Sequence, residues 1–174
     1  MSLAGMTRTC GLMSGGVKRL DMIAVEDLTS MTATQKVYTA ITLGSGKYFK
    51  TYEFEPDTCE MTSESTVENG AIKYHHEVVF HVNKMSTTGR AMVEEITSQS
   101  GCGIIAVVED NNGTKWVLGY TENHLKLRPL QLKGIKSTTG KALTDANGYD
   151  VTLFNENNEP PYTTSATIVR SAEG

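Results

Sequence analysis

No stretch of this chain approaches the roughly 18 apolar residues that a helix needs to cross a bilayer. Nor does the apolar core of a signal peptide follow Met1. The expectation is therefore a protein made and kept, or assembled, in a cytoplasm. Cysteine is scarce: Cys10, Cys59 and Cys102 are odd in number, far apart, and never spaced C-x-x-C. That pattern argues against a disulfide framework or a zinc site and favours three small half-buried residues in a reducing compartment. Positive charge is in deficit, 16 Lys and Arg against 20 Asp and Glu, so no basic patch for nucleic acid is advertised. Catalytic signatures are missing too: there is no G-x-S-x-G and no Cys–His pattern. Gly44-Ser45-Gly46-Lys47 is only a fragment of a phosphate-cradling loop, with no helix after it. No enzyme, metal or cofactor is expected.

What is present is alternation. At 174 residues, 39% hydrophobic and 21% charged, the chain has the length and composition of one soluble domain. Residues 1–15 read as a flexible arm, 16–162 as one β-rich domain and 163–174 as a tail. Met1-Ser2-Leu3 and Glu173-Gly174 read as cloning scars. The organising stretch is Gly103 to Tyr120. Ile104-Ile105-Ala106-Val107-Val108 fits a strand buried on both faces. Asn111-Asn112-Gly113 supplies residues tolerant of positive φ, and Trp116 to Tyr120 returns as the partner strand.

Around this hairpin, strands are expected at Val17–Val25, Val37–Leu43, Lys47–Glu55, Thr58–Glu68, Tyr74–Val82, Leu125–Lys133 and Tyr149–Phe154. Glu26–Lys36, Gly134–Asn147 and Asn155–Pro161 read as connectors. Asn69-Gly70 marks a hairpin. Ser86 is positioned to cap a helix over 87–98 that carries Met92, Val93 and Ile96, with Gly101 as its stop. The fold class expected is mostly β with one helix, an antiparallel sandwich or open barrel. Its core is expected to join Ile105, Val107, Trp116, Leu118, Phe80 and Leu153 to Met92 and Ile96.

Two strand faces carry chemistry. Glu60, Thr62, Glu64, Thr66 and Glu68 share one side of a strand, which must look at solvent, at a partner's basic groups or into an aqueous lumen. His75, Glu77 and His81 share a face of the next strand. However, the two histidines lie about 20 Å apart at ~3.3 Å per residue, too far to hold one ion. Glu109-Asp110 reads as turn chemistry rather than a cation site. Leu127 and Leu132 are candidates for an exposed sheet edge.

Glu109-Asp110-Asn111-Asn112-Gly113-Thr114-Lys115-Trp116-Val117-Leu118-Gly119 resembles the V-E-D-N-N-G-K-x-W-x-L-G segment of structural proteins carried by phages and prophages of Bacteroidetes. Gly15-Gly16-Val17-Lys18, Val67-Glu68-Asn69-Gly70 and Thr144-Asp145-Ala146-Asn147-Gly148-Tyr149 agree in order, so the resemblance spans about residues 10 to 162. These motifs are turns and strand starts, not catalytic signatures. The resemblance implies a virion structural protein, tail tube-like, that forms rings with itself (most simply hexamers) and contacts other tail proteins. The implied place is the virion tail, assembled in the bacterial host cytoplasm, with DNA passing non-specifically at most. Glu60, Glu64 and Glu68 would face the lumen or an interface. The arm at 1–15 and the loop at 134–147 would grip adjacent rings. The rival is a tail-tip or surface module binding a host glycan or protein. It would need exposed aromatics, and only Tyr38, Tyr120 and Tyr162 lie near strand ends. A virion-associated enzyme would need a deep pocket holding two carboxylates.

Overall fold

In the computed structural model, which describes residues 2–171, eleven strands form two sheets with one α-helix beside them. Met1 and residues 172–174, including the Glu173-Gly174 end, lie outside the described residues. The seven-stranded sheet has the order β2-β3-β11-β8-β7-β1-β4. Its strands are β1 (Val17–Ala24), β2 (Leu28–Thr34), β3 (Val37–Leu43), β4 (Lys50–Thr51), β7 (Ile104–Asp110), β8 (Lys115–Leu118) and β11 (Tyr162–Thr164). The four-stranded sheet has the order β5-β6-β10-β9. It comprises β5 (Glu60–Glu68), β6 (Ala71–Asn83), β9 (Gln131–Thr138) and β10 (Gly148–Asn157). Helix α1 spans Thr87–Ser100.

The larger sheet must curl. A single three-residue 3-10 turn, Val25–Asp27, joins β1 to β2, yet five interstrand steps separate those strands in the sheet. Laid flat, five steps cover about 24 Å, whereas three 3-10 residues advance about 6 Å. Only a sheet rolled towards a barrel brings both ends of that turn together.

Curling gives the protein two cores and explains the unbroken apolar run in β7. Ile104, Ala106 and Val108 pack between the two sheets with Leu20, Met22, Leu118, Val78, Phe80, Val151, Leu153 and Ile96. Ile105 and Val107 point the other way, into the curl, with Ile23, Leu28, Met31, Tyr38, Phe49 and Ile168. The expected single core is thus divided. Phe80, Leu118, Leu153, Met92, Ile96 and Trp116 do meet, but Ile105 and Val107 belong to the second cluster. Each fully buried aliphatic contributes roughly 1.5–3 kcal/mol on either side.

Local chemistry sets several boundaries as expected. Asn69 (φ 51°) and Gly70 (φ 77°) turn β5 into β6 with consecutive left-handed residues, the geometry that matches strand twist. Ser86 Oγ accepts from Gly89 N–H at 3.1 Å and caps α1. The helix seats where Gly89, lacking a Cβ, lets the Tyr149 ring lie against its backbone; a Cβ there would meet Cε2 at 2.4 Å. Gly101 stays right-handed (φ −62°), and Gly103 (φ 111°) makes the left-handed stop instead, its N–H donating to Gln99 O. In the turn of the organising hairpin, Gly113 alone of Asn111-Asn112-Gly113 has positive φ. Asp110 builds that turn, its Oδ1 accepting from Asn112 and Thr114 N–H and its Oδ2 from Trp116 Nε1.

Other boundaries differ. Glu26–Lys36 is not a connector but holds β2, whose Leu28 and Met31 are buried while its Thr and Ser residues face out. Lys47–Glu55 yields only Lys50–Thr51 as strand; Phe49 fills the curl, while Tyr52 and Phe54, of opposite parity, pack against the sandwich core. Leu125–Lys133 starts as a loop, with Leu125 at φ 52°, and pairing begins at Gln131 and runs to Thr138, into the expected loop. β10 continues to Asn157, inside the expected turn.

Residues 2–15 are exposed and form no helix or strand. Residues 163–170 are packed into the fold rather than trailing from it. β11 sits between β3 and β8, and beyond it Ala166 and Ile168 are buried, Phe49 N–H donates to Val169 O, and Arg170 reaches Asp21. It straps the curl from β3 across to β4 and β1. Of the cysteines, Cys59 is buried while Cys10 and Cys102 are exposed, rather than all three half-buried. Burial pushes the Cys59 thiol up to about 12.

Candidate functional surface

The four-stranded sheet turns one face to the core and leaves the other bare. β10 shows why: Tyr149, Val151, Leu153, Asn155 and Asn157 are buried, while Asp150, Thr152, Phe154 and Glu156 alternate outward. Cross-strand register extends that outer face over all four strands. Glu64, His75 and Glu156 lie in one row; Thr62, Glu77 and Phe154 in the next; Glu60, Val79, Thr152 and Gly134 in a third; His81, Asp150 and Lys136 in a fourth. The glutamates of β5 and the histidines of β6, read separately in the sequence, therefore share one surface.

The surface is acidic. Glu60, Glu64, Glu68, Glu77, Asp150 and Glu156 outnumber Lys73, Lys133 and Lys136. Its middle is knitted by short contacts. His75 Nε2 lies 3.0 Å from Glu77 Oε2 and its Nδ1 3.5 Å from Glu156 Oε1, with the ring stacked on Phe154 at 5.9 Å. Lys133 Nζ reaches Glu77 at 3.2 Å, and Lys73 reaches Glu156 at 3.5 Å. The hydrogen bond from His75, aided by Lys133, holds the Glu77 carboxyl below its ordinary range. His81 is engaged apart, with Asp150 at 2.7 Å and Asn83 at 2.9 Å. Among the described residues, no three His, Cys, Asp or Glu side chains gather as metal ligands.

Charge also distinguishes the two edge strands of this sheet, of which β9 is covered at Leu132, whose N–H donates to Ser100 Oγ of α1. β5 forms one edge, with Glu60, Glu64 and Glu68 exposed; β9 forms the other, with Lys133 and Lys136 exposed. A bulge between Thr152 and Leu153 shifts the β9 register and sends Lys133 to the outer side. Beyond Met61 the β5–β6 hairpin outruns the body. From Thr62 to Lys73 every residue is exposed, and even Val67, on the core-facing side, is 68% accessible.

The two edge leucines part ways. Leu127 is exposed, in the loop before β9 rather than on a strand. Leu132 does lie on an edge strand, β9, but its side chain turns inward, half-buried against the sandwich core. The three tyrosines do not decorate loops. Tyr38 and Tyr120 are buried and pack edge-to-face at 5.6 Å, with Tyr162 half-buried alongside. Burial, followed by the nearby Glu122 and Glu159 charges, raises the Tyr38 hydroxyl far above its ordinary value. Asp150, Glu156, Lys133 and Lys136 escaped the sequence reading, although the alternation Asp150-x-Thr152-x-Phe154-x-Glu156 carried the signal for the first two.

Two recesses elsewhere hold two carboxylates each, one of them Glu60 and Asp110 beside Trp116. Asp27 and Glu95 line the other, a cavity of about 90 Å³ between α1 and β1, with Tyr48, Lys50 and Tyr52. Asp27 is paired with Lys47 at 3.1 Å. Comparison with family models, with curated proteins and with solved structures finds no match to this chain.

Proposed function

We propose that the protein is a structural subunit of a phage or prophage virion, tail tube-like, that closes into rings through its own sheet edges and places the acidic face of the four-stranded sheet towards a lumen. The observation that carries this reading is the bare, acidic outer face bordered by an acidic edge on β5 and a basic edge on β9. A head-to-tail contact repeats around a ring when its rotation divides a full turn. Opposite charge on the two edges favours β5 of one copy beside β9 of the next over either edge beside itself. A lumen lined by carboxylates repels the phosphate backbone of DNA, so the polymer slides without binding. The resemblance of the Glu109–Gly119 block and its companions supplies the virion setting, hence a tail location after assembly in a bacterial cytoplasm.

The glycan-binding alternative is less favoured, because of the tyrosines it would use Tyr38 and Tyr120 are buried and Tyr162 is half-buried. Negative-stain electron microscopy of concentrated protein, alone and seeded with tail-tip complexes, tests the proposal. Rings or tubes are the expected result. Protein that stays monomeric under both conditions refutes it.

A further inference from the structure

Two buried side-chain atoms lack partners among the described residues: His76 Nδ1 and Asn155 Oδ1. They belong to directly opposed residues of β6 and β10. Both side chains point into the end of the sandwich, 1% and 4% exposed. Opposed residues of an antiparallel pair carry Cβ atoms about 5 Å apart, so the two orphans share one small space.

The hydrogen-bond chemistry fixes what each atom is. His76 Nε2 lies 3.3 Å from Glu159 O and 3.4 Å from Asn157 Oδ1. A backbone carbonyl only accepts, so Nε2 carries the proton and Nδ1 is left with a lone pair. Burial lowers the His76 pKa, which keeps the ring neutral and that lone pair free. Asn155 Nδ2 donates to Arg128 O at 3.0 Å. Turning the amide would offer Nδ2 to the imidazole but set Oδ1 against the Arg128 carbonyl, trading one unsatisfied pair for another. Both orphans are therefore acceptors, and each costs about 1–3 kcal/mol if left dry.

We infer that an internal water occupies the space between His76 and Asn155, donating one hydrogen to Nδ1 and the other to Oδ1. A single molecule with two donors in a polar, enclosed site meets both needs at once. The consequence is mechanical. Through His76 the site holds Glu159 and Asn157, hence the turn between β10 and β11; through Asn155 it holds Arg128, hence the loop before β9. The water joins the two side chains that hold these loops on the end of the four-stranded sheet. This inference is independent of the virion reading.

Oxygen-17 relaxation dispersion of the wild-type protein should count one slowly exchanging water more than in Asn155→Leu and in His76→Phe. A wild-type crystal structure at a resolution that shows ordered waters should place density within hydrogen-bonding distance of both atoms. An equal count in both folded variants, or density absent from that point, overturns the inference. So does an Asn155 amide found donating to Nδ1. If both variants fail to fold, the wild-type density decides alone.

Discussion

Asp21 is 2% exposed, yet it sits in β1 between hydrophobic neighbours. Its charge is matched by Arg170, whose Nη2 lies 3.0 Å and Nε 3.2 Å from its oxygens, and by Thr51 Oγ1 at 2.5 Å. Arg170→Met should strand that carboxylate and cost about 3 kcal/mol in urea unfolding. Arg90→Met, which breaks a solvent-exposed i,i+4 pair with Glu94, should cost only a few tenths. Equal losses in the two variants would show that the strap does not depend on the buried pair. His76 sets a pH dependence at the same scale. Its folded pKa lies below the ordinary 6.5, so the unfolded chain binds the proton more readily. The stability it confers is complete above pH 6.5 and is lost as pH falls from there through the folded pKa. Wild-type protein should therefore lose more stability between pH 7.5 and pH 5 than His76→Gln does. Parallel pH profiles would remove His76 as the cause.

Among the elements, β7 is the one whose every residue from Ile104 to Val108 meets a core, alternately one and the other. Val107→Asp should cost on the order of 3–5 kcal/mol, since the carboxylate would enter the curl unpaired. A soluble variant with an unchanged melting temperature would sink that placement. Leu132→Glu should likewise destabilise, by about 2 kcal/mol, while Leu127→Lys, at a residue 83% exposed, should stay within about 0.5 kcal/mol. Reversal of that order in thermal unfolding would contradict the bulge geometry. These elements also show where sequence was enough. The β7 run, the Asn69-Gly70 turn and the Ser86 cap declare themselves through local chemistry. β2 and β11 do not, because their residues are largely Thr, Ser and Tyr, and pairing within the sheet, not pattern, makes them strands. The acidic face was half legible: β5 and β6 each showed a polar side, but only register shows that the two sides coincide. Leu132 turns inward beside the bulge, and Gly134, opposite Thr152 at the register shift, is the residue type that marks such a bulge.

For the whole molecule, the proposed ring rests on two edges of unlike charge. If β5 of one copy pairs with β9 of the next, Glu60, Glu64 and Glu68 come alongside Lys133 and Lys136 on a continuous outer face. Each exposed pair is worth little, at most about 1 kcal/mol. Repeated at every contact of a closed ring, however, the pairs select the partner edge, and reversing them is a like-charge penalty at every junction. Lys133→Glu/Lys136→Glu should therefore leave unfolding of the monomer nearly unchanged and abolish rings. Glu60→Lys/Glu64→Lys/Glu68→Lys should do the same. Mixing the two variants in equal amounts should restore rings of even subunit number, because alternating copies are complementary at every β5–β9 junction. Combining all five substitutions in one chain restores complementarity at every junction. Rings are expected to return in that chain and to weaken with added salt, as screened surface charge requires. Rings formed equally well by the two single-edge variants would show that other edges, β2 or β4, make the contact. Failure of the combined chain alone to assemble would show that the acidic face itself is needed at the interface.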